Sequence, residues 1–489
     1  MSINNISNNT LYPSRDMGFM ERYQLSKQTA DVYGKLCLLC QLTIQTPLSP
    51  GQTINQEYLV AILQPAITEL CQEIPSMTLV VSDIASNKPS FSNISSFDLL
   101  QVLKVTHNVD FGDQDALQLH LANEVSSDFD LRDQSVPLWN LHVLVDDRRP
   151  NELVIIWSVH HLISDGVSTS ILWTHLLRCI NDTSSSSTSS TSTSTIIAPT
   201  SVPPLQPPFD KRTPHHPTIT DLVPVLFKEL LLPSFIKRWT DTTYWAGETH
   251  AVRAHHQTLV ELVQLEDDLV ERLNVACKKE DTTIHAALCV AAVASLLETL
   301  GGDASTTAIK TCTPISARKY CEPPVSIEEV GNFVAAFDKV WQMPLTSLKE
   351  KFWQQCREYK TQLAGNSIND VKMVNMLKYV GENPAKWDDF WWSREHKLPM
   401  GRSGSIELSD LGKWNLVQKQ DDQWKAQSAV FAQSSNVYGS VLSFNCVSLN
   451  GRLRPSITWQ PGVISQDKVK EVSKLLSSTL SELANKVTE

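Results

Sequence analysis

Residues 183–195 consist entirely of serine and threonine, and this run constrains the fold more than any other feature of the sequence. Such a run cannot bury apolar surface, and the proline-rich stretch after it cannot continue a helix or a central strand. We therefore predict a surface linker at 183–217, with an N-terminal domain at 1–182 and a C-terminal domain at 218–489. Two domains also suit a chain of 489 residues, which exceeds what one hydrophobic core usually organises.

The charge and hydropathy of the chain exclude several classes of protein. A net charge of −11 without a run of lysine and arginine argues against a nucleic-acid partner. The N-terminus has no basic region followed by an apolar core, and the longest apolar runs are shorter than the ~18 residues of a membrane span. We therefore expect a monomeric cytoplasmic protein, with peripheral contact to intracellular membranes as the alternative to a wholly cytosolic one.

Ten cysteines are scattered along the chain, and only Cys37 and Cys40 are close together. A structural zinc site of this type needs a second pair at comparable spacing, which the sequence does not contain. Most of the ten lie in apolar stretches, where a free thiol behaves as a small hydrophobic side chain. We therefore predict free cysteines and no metal site.

Hydrophobic periodicity gives a coarse secondary structure for the first domain. Apolar residues at helical spacing predict helices at 29–42 and 57–74. Apolar or alternating runs predict strands, which lie at 77–84, 100–109, 137–147 and 152–161. The turn composition between the last two strands predicts an antiparallel hairpin.

The last of these strands ends in two consecutive histidines, His160 and His161. Asp165 and Gly166 follow, and Asp165 is well placed to cap the helix predicted after it. Neighbours on a strand point to opposite faces, so one histidine is expected to be catalytic and the other structural. A histidine in a tight turn is a suitable general base near neutral pH. From the residues alone, a packed and hydrogen-bonded pair in the core is an equally good interpretation.

The stretch HHLISDG at 160–166 resembles the HHxxxDG signature of the CoA-dependent acyltransferase superfamily, which includes chloramphenicol acetyltransferase, the plant BAHD enzymes and peptide-synthetase condensation domains. Within that superfamily the chain is most similar to the fungal alcohol acetyltransferases. The similar segments keep their order along the chain: DTTIHAALCVAAVASLL, TPISARKY, VGNFV, IELSDLG and a closing strand pair at 431–453.

The resemblance implies an α/β (α+β) fold of two similar chloramphenicol-acetyltransferase-like domains. Each domain would have a mostly antiparallel sheet with flanking helices, and an active-site tunnel would run between them. The implied reaction moves an acyl group, expected to be acetyl, from acyl-CoA to the hydroxyl of a small hydrophobic alcohol or secondary metabolite. Acyl-CoA would be a co-substrate, with no permanently bound cofactor and no metal.

The resemblance also implies roles for particular residues. His161 would be the general base, His160 would support it from below, and no acyl-enzyme would form. Asp165 would be held by Arg318 and would fix the loop, while Gly166 would permit its tight backbone. The candidates for the oxyanion donor are Ser409 first, and Ser434 or Ser435 second. Because the chain lacks the DFGWG element of the plant enzymes, the CoA contacts are unassigned.

Two alternative functions are compatible with the sequence. The same fold and base can act on an amine, on a carrier-protein thioester or in an intramolecular condensation. A silent relative that only binds a small molecule is the other alternative, although the set of His161, Asp165 and Arg318 argues against it. A second doublet, His255 and His256, is interpreted as surface or strand packing. The tryptophans of KWDDFWW are interpreted as core rather than as an acceptor channel.

Overall fold

The computed structural model describes residues 10–46, 53–185, 194–221, 243–301 and 308–485. Most of the serine and threonine run therefore lies outside the described residues. The strands are β1 Leu11–Asp16, β2 Lys35–Ile44, β3 Leu79–Ser82, β4 Ser90–Ile94, β5 Phe97–Asp98, β6 Leu103–Thr106, β7 Trp139–Val145, β8 Glu152–His160, β9 Ile196–Ile197, β10 Leu259–Leu262, β11 Ile309–Ser316, β12 Val334–Trp341, β13 Gly404–Lys413, β14 Trp424–Gln433, β15 Ser440–Leu449, β16 Arg452–Leu453 and β17 Ser456–Trp459.

The α-helices lie between these strands and at the C-terminal end. They are α1 Phe19–Thr29, α2 Gln56–Glu73, α3 Leu99–Val102, α4 Gln114–Val125, α5 Gly166–Ser185, α6 Phe209–Arg212, α7 Leu269–Lys279, α8 Ile284–Thr299, α9 Leu345–Glu350, α10 Phe352–Val374, α11 Pro384–Trp392, α12 Arg394–Lys397 and α13 Gln466–Asn485. A short 3₁₀ helix at Arg318–Tyr320 carries one of the predicted site residues.

Two large sheets organise the described residues. One has the strand order β14-β2-β8-β7-β6, and the other has the order β10-β17-β15-β13-β11-β12 with β16 beside β15. Most neighbouring strands are antiparallel, while β6 and β7, β11 and β13, and β13 and β15 run parallel. Helices α2 and α5 pack with the first sheet, and α7, α8, α10 and α13 pack with the second. The predicted architecture of mostly antiparallel sheets with flanking helices is confirmed.

One strand crosses between the two halves of the fold. Strand β14 pairs with β2 from Gln433 opposite Leu36 to Trp424 opposite Ile44. The sheet of the N-terminal half is thus completed by a strand from the C-terminal half. The segment at 431–453 is accordingly not one hydrogen-bonded pair, because β14 and β15 belong to different sheets. The domain boundaries at 182 and 217 stay a prediction.

The predicted helix at 29–42 is wrong. Helix α1 ends at Thr29, and the apolar run after it is the central strand β2. Nearly every side chain of β2 is buried, because the sheet is covered on both faces. A strand covered on both faces reads as a continuous apolar run, and periodicity alone cannot distinguish such a run from a buried helix.

The predicted strands at 77–84 and 100–109 are confirmed only in their middle parts, as β3 and β6, because a 3₁₀ helix at Pro75–Thr78 and helix α3 precede them. Other local predictions are confirmed. Strands β7 and β8 form the antiparallel hairpin, and α2 occupies 56–73. The predicted cap Asp165 accepts from the Ser168 N–H at 2.8 Å. Two further helices also start at a capping side chain: Thr283 accepts from the Ala286 N–H at 3.2 Å, and Ser465 accepts from the Lys468 N–H at 3.4 Å. The ten cysteines are free thiols, and nine are buried.

Among the described residues, no single helix is long and apolar enough to cross a membrane. Helices α7 and α8 pass that test only as a pair, by length and composition, and they are bent by 99° at the break between them.

Candidate active site

The site is built where β8 ends and α5 begins. The last pair of the ladder between β2 and β8 joins Lys35 and His160, so the chain leaves the sheet at His161. The loop at 161–165 then leads directly into α5. Strand and helix fix both ends of this short loop, and its side chains are therefore held at the rim of the sheet.

His160 is the buried member of the doublet. Its side chain is 1% exposed, and its Nδ1 accepts a hydrogen bond from the Leu162 N–H at 2.9 Å. Burial lowers the pKa of His160 to about 3, with further contributions from His161, Lys35 and Lys27. A neutral imidazole that accepts a backbone bond inside the loop supports the shape of that loop.

His161 is half-buried, and its ring stands 6.0 Å from the ring of Tyr33. The Asn332 Nδ2 lies 3.1 Å from the His161 Nδ1 and donates to the His161 carbonyl oxygen at 2.8 Å. Burial and the positive charge of Lys27 lower the pKa of His161 to about 3, against the opposing effect of Asp165. The imidazole is therefore neutral near pH 7 and has a nitrogen available to accept a proton.

Asp165 is buried at the start of α5 and bonded to groups of the C-terminal half. Arg318 donates from Nη1 to Oδ2 at 2.6 Å and from Nη2 to Oδ1 at 3.2 Å. The backbone N–H of Phe333 donates to Oδ2 at 3.0 Å. Burial alone would raise the pKa of Asp165, but the charge and hydrogen bonds of Arg318 hold it below its ordinary value. The carboxylate is thus ionised and saturated with donors.

Ser168 extends this network to the segment that carries Asn332. Its hydroxyl donates to the Gly331 carbonyl at 2.9 Å and accepts from the Arg318 guanidinium at 2.9 Å. The Asp165 N–H donates to the same Gly331 carbonyl at 3.0 Å. The next residue along the chain is Asn332, whose amide contacts His161. The ion pair therefore positions the amide as well as the histidine loop.

Gly166 lies in a closely packed position rather than in a left-handed backbone conformation. We predicted a tight backbone at this position, but its φ lies outside the left-handed region. A Cβ built on Gly166 would stand 2.5 Å from Leu411 Cδ2 and 3.5 Å from Phe431 Cζ. A larger residue would therefore have to move the end of the Leu411 side chain.

A polar wall lies beside His161. Lys27 Nζ stands 4.6 Å from the centre of the Tyr33 ring, and Tyr33 donates from its hydroxyl to Gln433 Oε1 at 3.1 Å. Gln433 Nε2 then donates to Glu407 Oε1 at 2.8 Å. Burial lowers the pKa of Lys27 to about 8 and raises that of Glu407. Asn332 lies in the similar segment VGNFV, but the sequence analysis assigned no role to it or to these wall residues.

The candidate oxyanion donor Ser409 lies on β13 between Glu407 and Leu411. Side chains alternate along a strand, so Glu407 and Ser409 share one side of β13, while a register shift between Asp410 and Lys413 interrupts the alternation beyond Asp410. Glu407 belongs to the polar wall, and Leu411 packs against Gly166 at the start of α5. Ser409 is 8% exposed and its hydroxyl has no recorded partner among the described residues. Its hydroxyl is therefore available as a donor, and its role at the oxyanion stays a prediction.

The second candidates follow the end of β14. The Ser434 hydroxyl donates to the Val125 carbonyl at 2.5 Å and accepts from the Lys35 N–H at 2.6 Å, so it links backbone segments. The Ser435 N–H donates to the Thr258 hydroxyl at 3.0 Å. Strand β2 lies between β14 and β8 in the sheet. Both serines are thus two strand spacings, or about 10 Å, from the backbone of His160.

The tryptophans of α11 form a core with α1. Trp391 is 1% exposed, stacks on Tyr23 with ring centres 5.4 Å apart, and donates from Nε1 to Ser26 Oγ at 2.9 Å. Trp387 is also buried against Tyr23. The interpretation of this cluster as core is confirmed for these two side chains.

A cavity of about 250 Å³ adjoins the histidine loop. Its lining includes Leu162, Ile163 and Asn332, together with linker residues 203–209. Phe209 of the linker is buried, with its ring 6.4 Å from the ring of Phe333. Residues 203–209 of the predicted linker therefore lie against the site, and the assignment of 183–217 as a surface linker stays a prediction.

Comparison with known proteins adds an independent line of evidence. Residues 80–479 match the family model described as alcohol acetyltransferase. The chain is 22% identical over 503 aligned positions to a probable alcohol acetyltransferase, FCK4, of Fusarium pseudograminearum (strain CS3096), covering 96% of this chain and 95% of that protein.

Solved structures share the fold at low sequence identity. TRI3 trichothecene 15-O-acetyltransferase from Fusarium sporotrichioides matches with a TM-score of 0.67 at 13% identity, covering 99% of this chain and 96% of TRI3. The epimerization domain from the third module of tyrocidine synthetase B matches with a TM-score of 0.57 at 13% identity, covering 98% and 96%. These matches confirm the predicted two-domain α/β fold.

Proposed function

Because the chain belongs to the alcohol acetyltransferase family and is an acyltransferase of that type, we propose that it moves an acetyl group from acetyl-CoA to the hydroxyl of a small hydrophobic alcohol. The observation that carries this proposal is the neutral, half-buried His161, held by Asn332 beside a polar wall. A neutral imidazole at such a place can accept a hydroxyl proton, although a pKa of about 3 makes it a weaker base than an ordinary histidine.

The proposed reaction is a direct transfer in two proton steps. The His161 Nε2 takes the proton from the acceptor hydroxyl while that oxygen attacks the thioester carbonyl. The tetrahedral intermediate then collapses, the bond from carbon to sulfur breaks, and the imidazolium returns its proton to the leaving thiolate. The products are the acetate ester and free CoA, and the enzyme regains a neutral His161 without forming an acyl-enzyme.

The contacts of the Asn332 amide fit either tautomer of the ring. With the imidazole proton on Nε2, the Asn332 Nδ2 donates to Nδ1 at 3.1 Å. With the proton on Nδ1, the amide's hydrogen bond is the one to the His161 carbonyl oxygen at 2.8 Å. Catalysis by Nε2 uses the second tautomer, because the nitrogen that accepts the proton must be unprotonated. Asn332 is accordingly proposed as a positioning residue.

We expect Ser409→Ala to lower kcat by about 10²-fold or more, because it removes the proposed donor to the oxyanion. Ser435→Ala, which removes the competing hydroxyl, is expected to retain kcat within about threefold. The KM for acetyl-CoA should change little in either variant, since the bond forms only in the transition state. Steady-state kinetics of the two variants identify the donor, and a large loss in Ser435→Ala alone would assign it to Ser435.

The pH profile tests the environment of His161. With a pKa lowered to about 3, kcat/KM should be flat from pH 7 to pH 5. A histidine with an ordinary pKa would lose activity about 25-fold over the same range. Lys27, with its pKa lowered to about 8, is charged throughout this range and opposes protonation of the imidazole.

Removing that charge should therefore shift the profile in a defined direction. Lys27→Met is expected to raise the pKa of His161, so that the acid limb of kcat/KM moves to higher pH. Lys349→Met is the control, because Lys349 lies on the surface in an ion pair with Glu298. Equal profiles for Lys27→Met and the control would contradict the proposed coupling of Lys27 to His161.

The donor is tested by offering the acetyl group in two forms. Ester formation from free acetyl-CoA and a panel of fatty, terpenoid and aromatic alcohols, followed by mass spectrometry, supports the proposal. Transfer that occurs only from an acetylated carrier protein, or only to amines, would replace it with the corresponding condensation activity.

A further inference from the structure

We propose that Asp31, Asp128, His255 and His256 form a binding site for a divalent transition metal, with zinc as the best fit. Asp31 lies between α1 and β2, Asp128 follows α4, and the two histidines precede β10. The sequence analysis predicted no metal site because the chain has no second cysteine pair, and it did not connect these four residues, which come from three distant segments. The fold brings them together on the outer side of the turn that leads to Tyr33.

The distances among the four side chains suit one ion. Their candidate ligand atoms all lie within 4.8 Å of one another. His255 Nδ1 is 2.5 Å from Asp31 Oδ1 and 4.0 Å from Asp128 Oδ2, and His256 Nε2 is 2.9 Å from Asp128 Oδ1. Ligands at about 2.1 Å from a tetrahedral zinc ion are separated by about 3.4 Å, which lies in the middle of this range.

The chemistry of the ligands selects the class of metal. Two imidazoles and two carboxylates are suitable ligands for zinc and for related divalent transition metals. Calcium and magnesium prefer sites made entirely of oxygen ligands, so the two histidines argue against them. The two carboxylates also balance the charge of a divalent ion.

The cluster combines one fully buried ligand with two ligands that solvent reaches. His256 is 0% exposed, and its backbone N–H donates to the Asp31 carbonyl at 3.2 Å. His256 Nδ1 has no hydrogen-bond partner within the described part of the chain, so its contact with Asp128 is the ring's polar anchor. Burying an imidazole nitrogen without a hydrogen-bond partner costs free energy of folding, so packing alone does not account for this side chain. Asp31 and His255 are about half exposed, at 48% and 50%, so an ion can enter from solvent.

A bound ion would join three segments next to the proposed active site. Asp31 is two residues before Tyr33, whose ring faces His161. Occupancy of the site would therefore stabilise the turn between α1 and β2. The competing explanation is two hydrogen-bonded pairs of histidine and aspartate that bind no metal.

The test uses the full chain without an affinity tag, stripped by a chelator and then titrated with Zn²⁺ in a calorimeter. Thermal unfolding is recorded with and without one equivalent of Zn²⁺. His255→Gln and Asp31→Asn remove exposed ligands and should leave the fold intact, which circular dichroism checks. His175→Gln is the matched control, because His175 forms a similar pair with Glu73 elsewhere, at 3.0 Å.

We expect one saturable equivalent of Zn²⁺ and a rise in Tm for the natural protein and for His175→Gln. In His255→Gln and Asp31→Asn the affinity should fall by at least about tenfold, and the rise in Tm should disappear. The proposal is overturned if the natural protein shows no saturable binding. It is also overturned if the ligand variants bind as tightly as the control, since the zinc would then be held elsewhere, for example by cysteines.

Discussion

His161→Ala is expected to lower kcat by about 10²–10⁴-fold, because the acceptor hydroxyl loses the group that takes its proton. The KM for acetyl-CoA should stay within about threefold, since the base contributes to the transition state and not to binding of the donor. The free energy of unfolding should change little, because the ring is half-buried and makes few contacts. Steady-state kinetics and denaturant unfolding measure the two effects separately.

The control for this variant is His175→Ala, which removes a histidine from the surface of α5 on the same half of the fold. It should keep the kinetics of the natural protein. If His161→Ala retained more than about a tenth of kcat, proton removal by this imidazole would not be the main contribution to the rate. Loss of activity accompanied by global unfolding would also contradict the account, because the role assigned to His161 is chemical.

Arg318→Met is expected to lower the free energy of unfolding by about 3–5 kcal/mol, the usual cost of leaving one member of a buried ion pair without its partner. The side chains of Arg318 and Asp165 are 7% and 2% exposed, so water cannot replace the lost guanidinium. Urea unfolding measures the effect. Activity should fall as well, because the same guanidinium supports the segment that carries Asn332.

Two further variants separate the buried ion pair from a general effect of losing a charge. Lys349→Met breaks an exposed pair with Glu298 and should cost less than about 1 kcal/mol. The double variant with Asp165→Asn and Arg318→Met should recover part of the lost stability, because no buried charge remains unpaired. A cost in Arg318→Met no larger than that in Lys349→Met would contradict the structural role of the pair.

The pH dependence of stability has a defined sign for this pair. The pKa of Asp165 in the folded protein lies below its ordinary value. The stabilisation that the Asp165 carboxylate gives to the folded state is therefore fully present above about pH 4, the ordinary pKa of aspartate. This stabilisation is lost as the pH falls through the pKa of the folded state. The difference in stability between the natural protein and Arg318→Met should therefore narrow on acidification.

Local signals in the sequence were sufficient for much of the fold. The caps at Asp165, Thr283 and Ser465 start helices because short polar side chains satisfy the first free N–H groups. The strand at 152–160 could be predicted with its hairpin partner because the turn residues between them are characteristic. Strand β2 could not, because burial of both its faces removes the alternation that marks a strand.

The candidate site shows the same division between local and long-range information. His161 and Asp165 stand in a motif of seven residues and could be found in it. Asn332 is 171 positions from the histidine whose nitrogen it contacts, and the contact exists only because two sheets meet there. Lys27 affects His161 across a separation of 134 positions. The proposed metal ligands likewise come from three segments of the chain, and more than 90 positions separate each segment from the next.

The most direct test of the central claim is to incubate the enzyme with acetyl-CoA alone and then add an alcohol, while recording free thiol and the intact mass of the protein. Direct transfer predicts no gain of an acetyl group and no burst of CoA before the alcohol is added. After addition, CoA and ester should form in equal amounts. A covalent acetyl-enzyme, a burst of CoA without alcohol, or no ester with any alcohol of the panel would contradict the account.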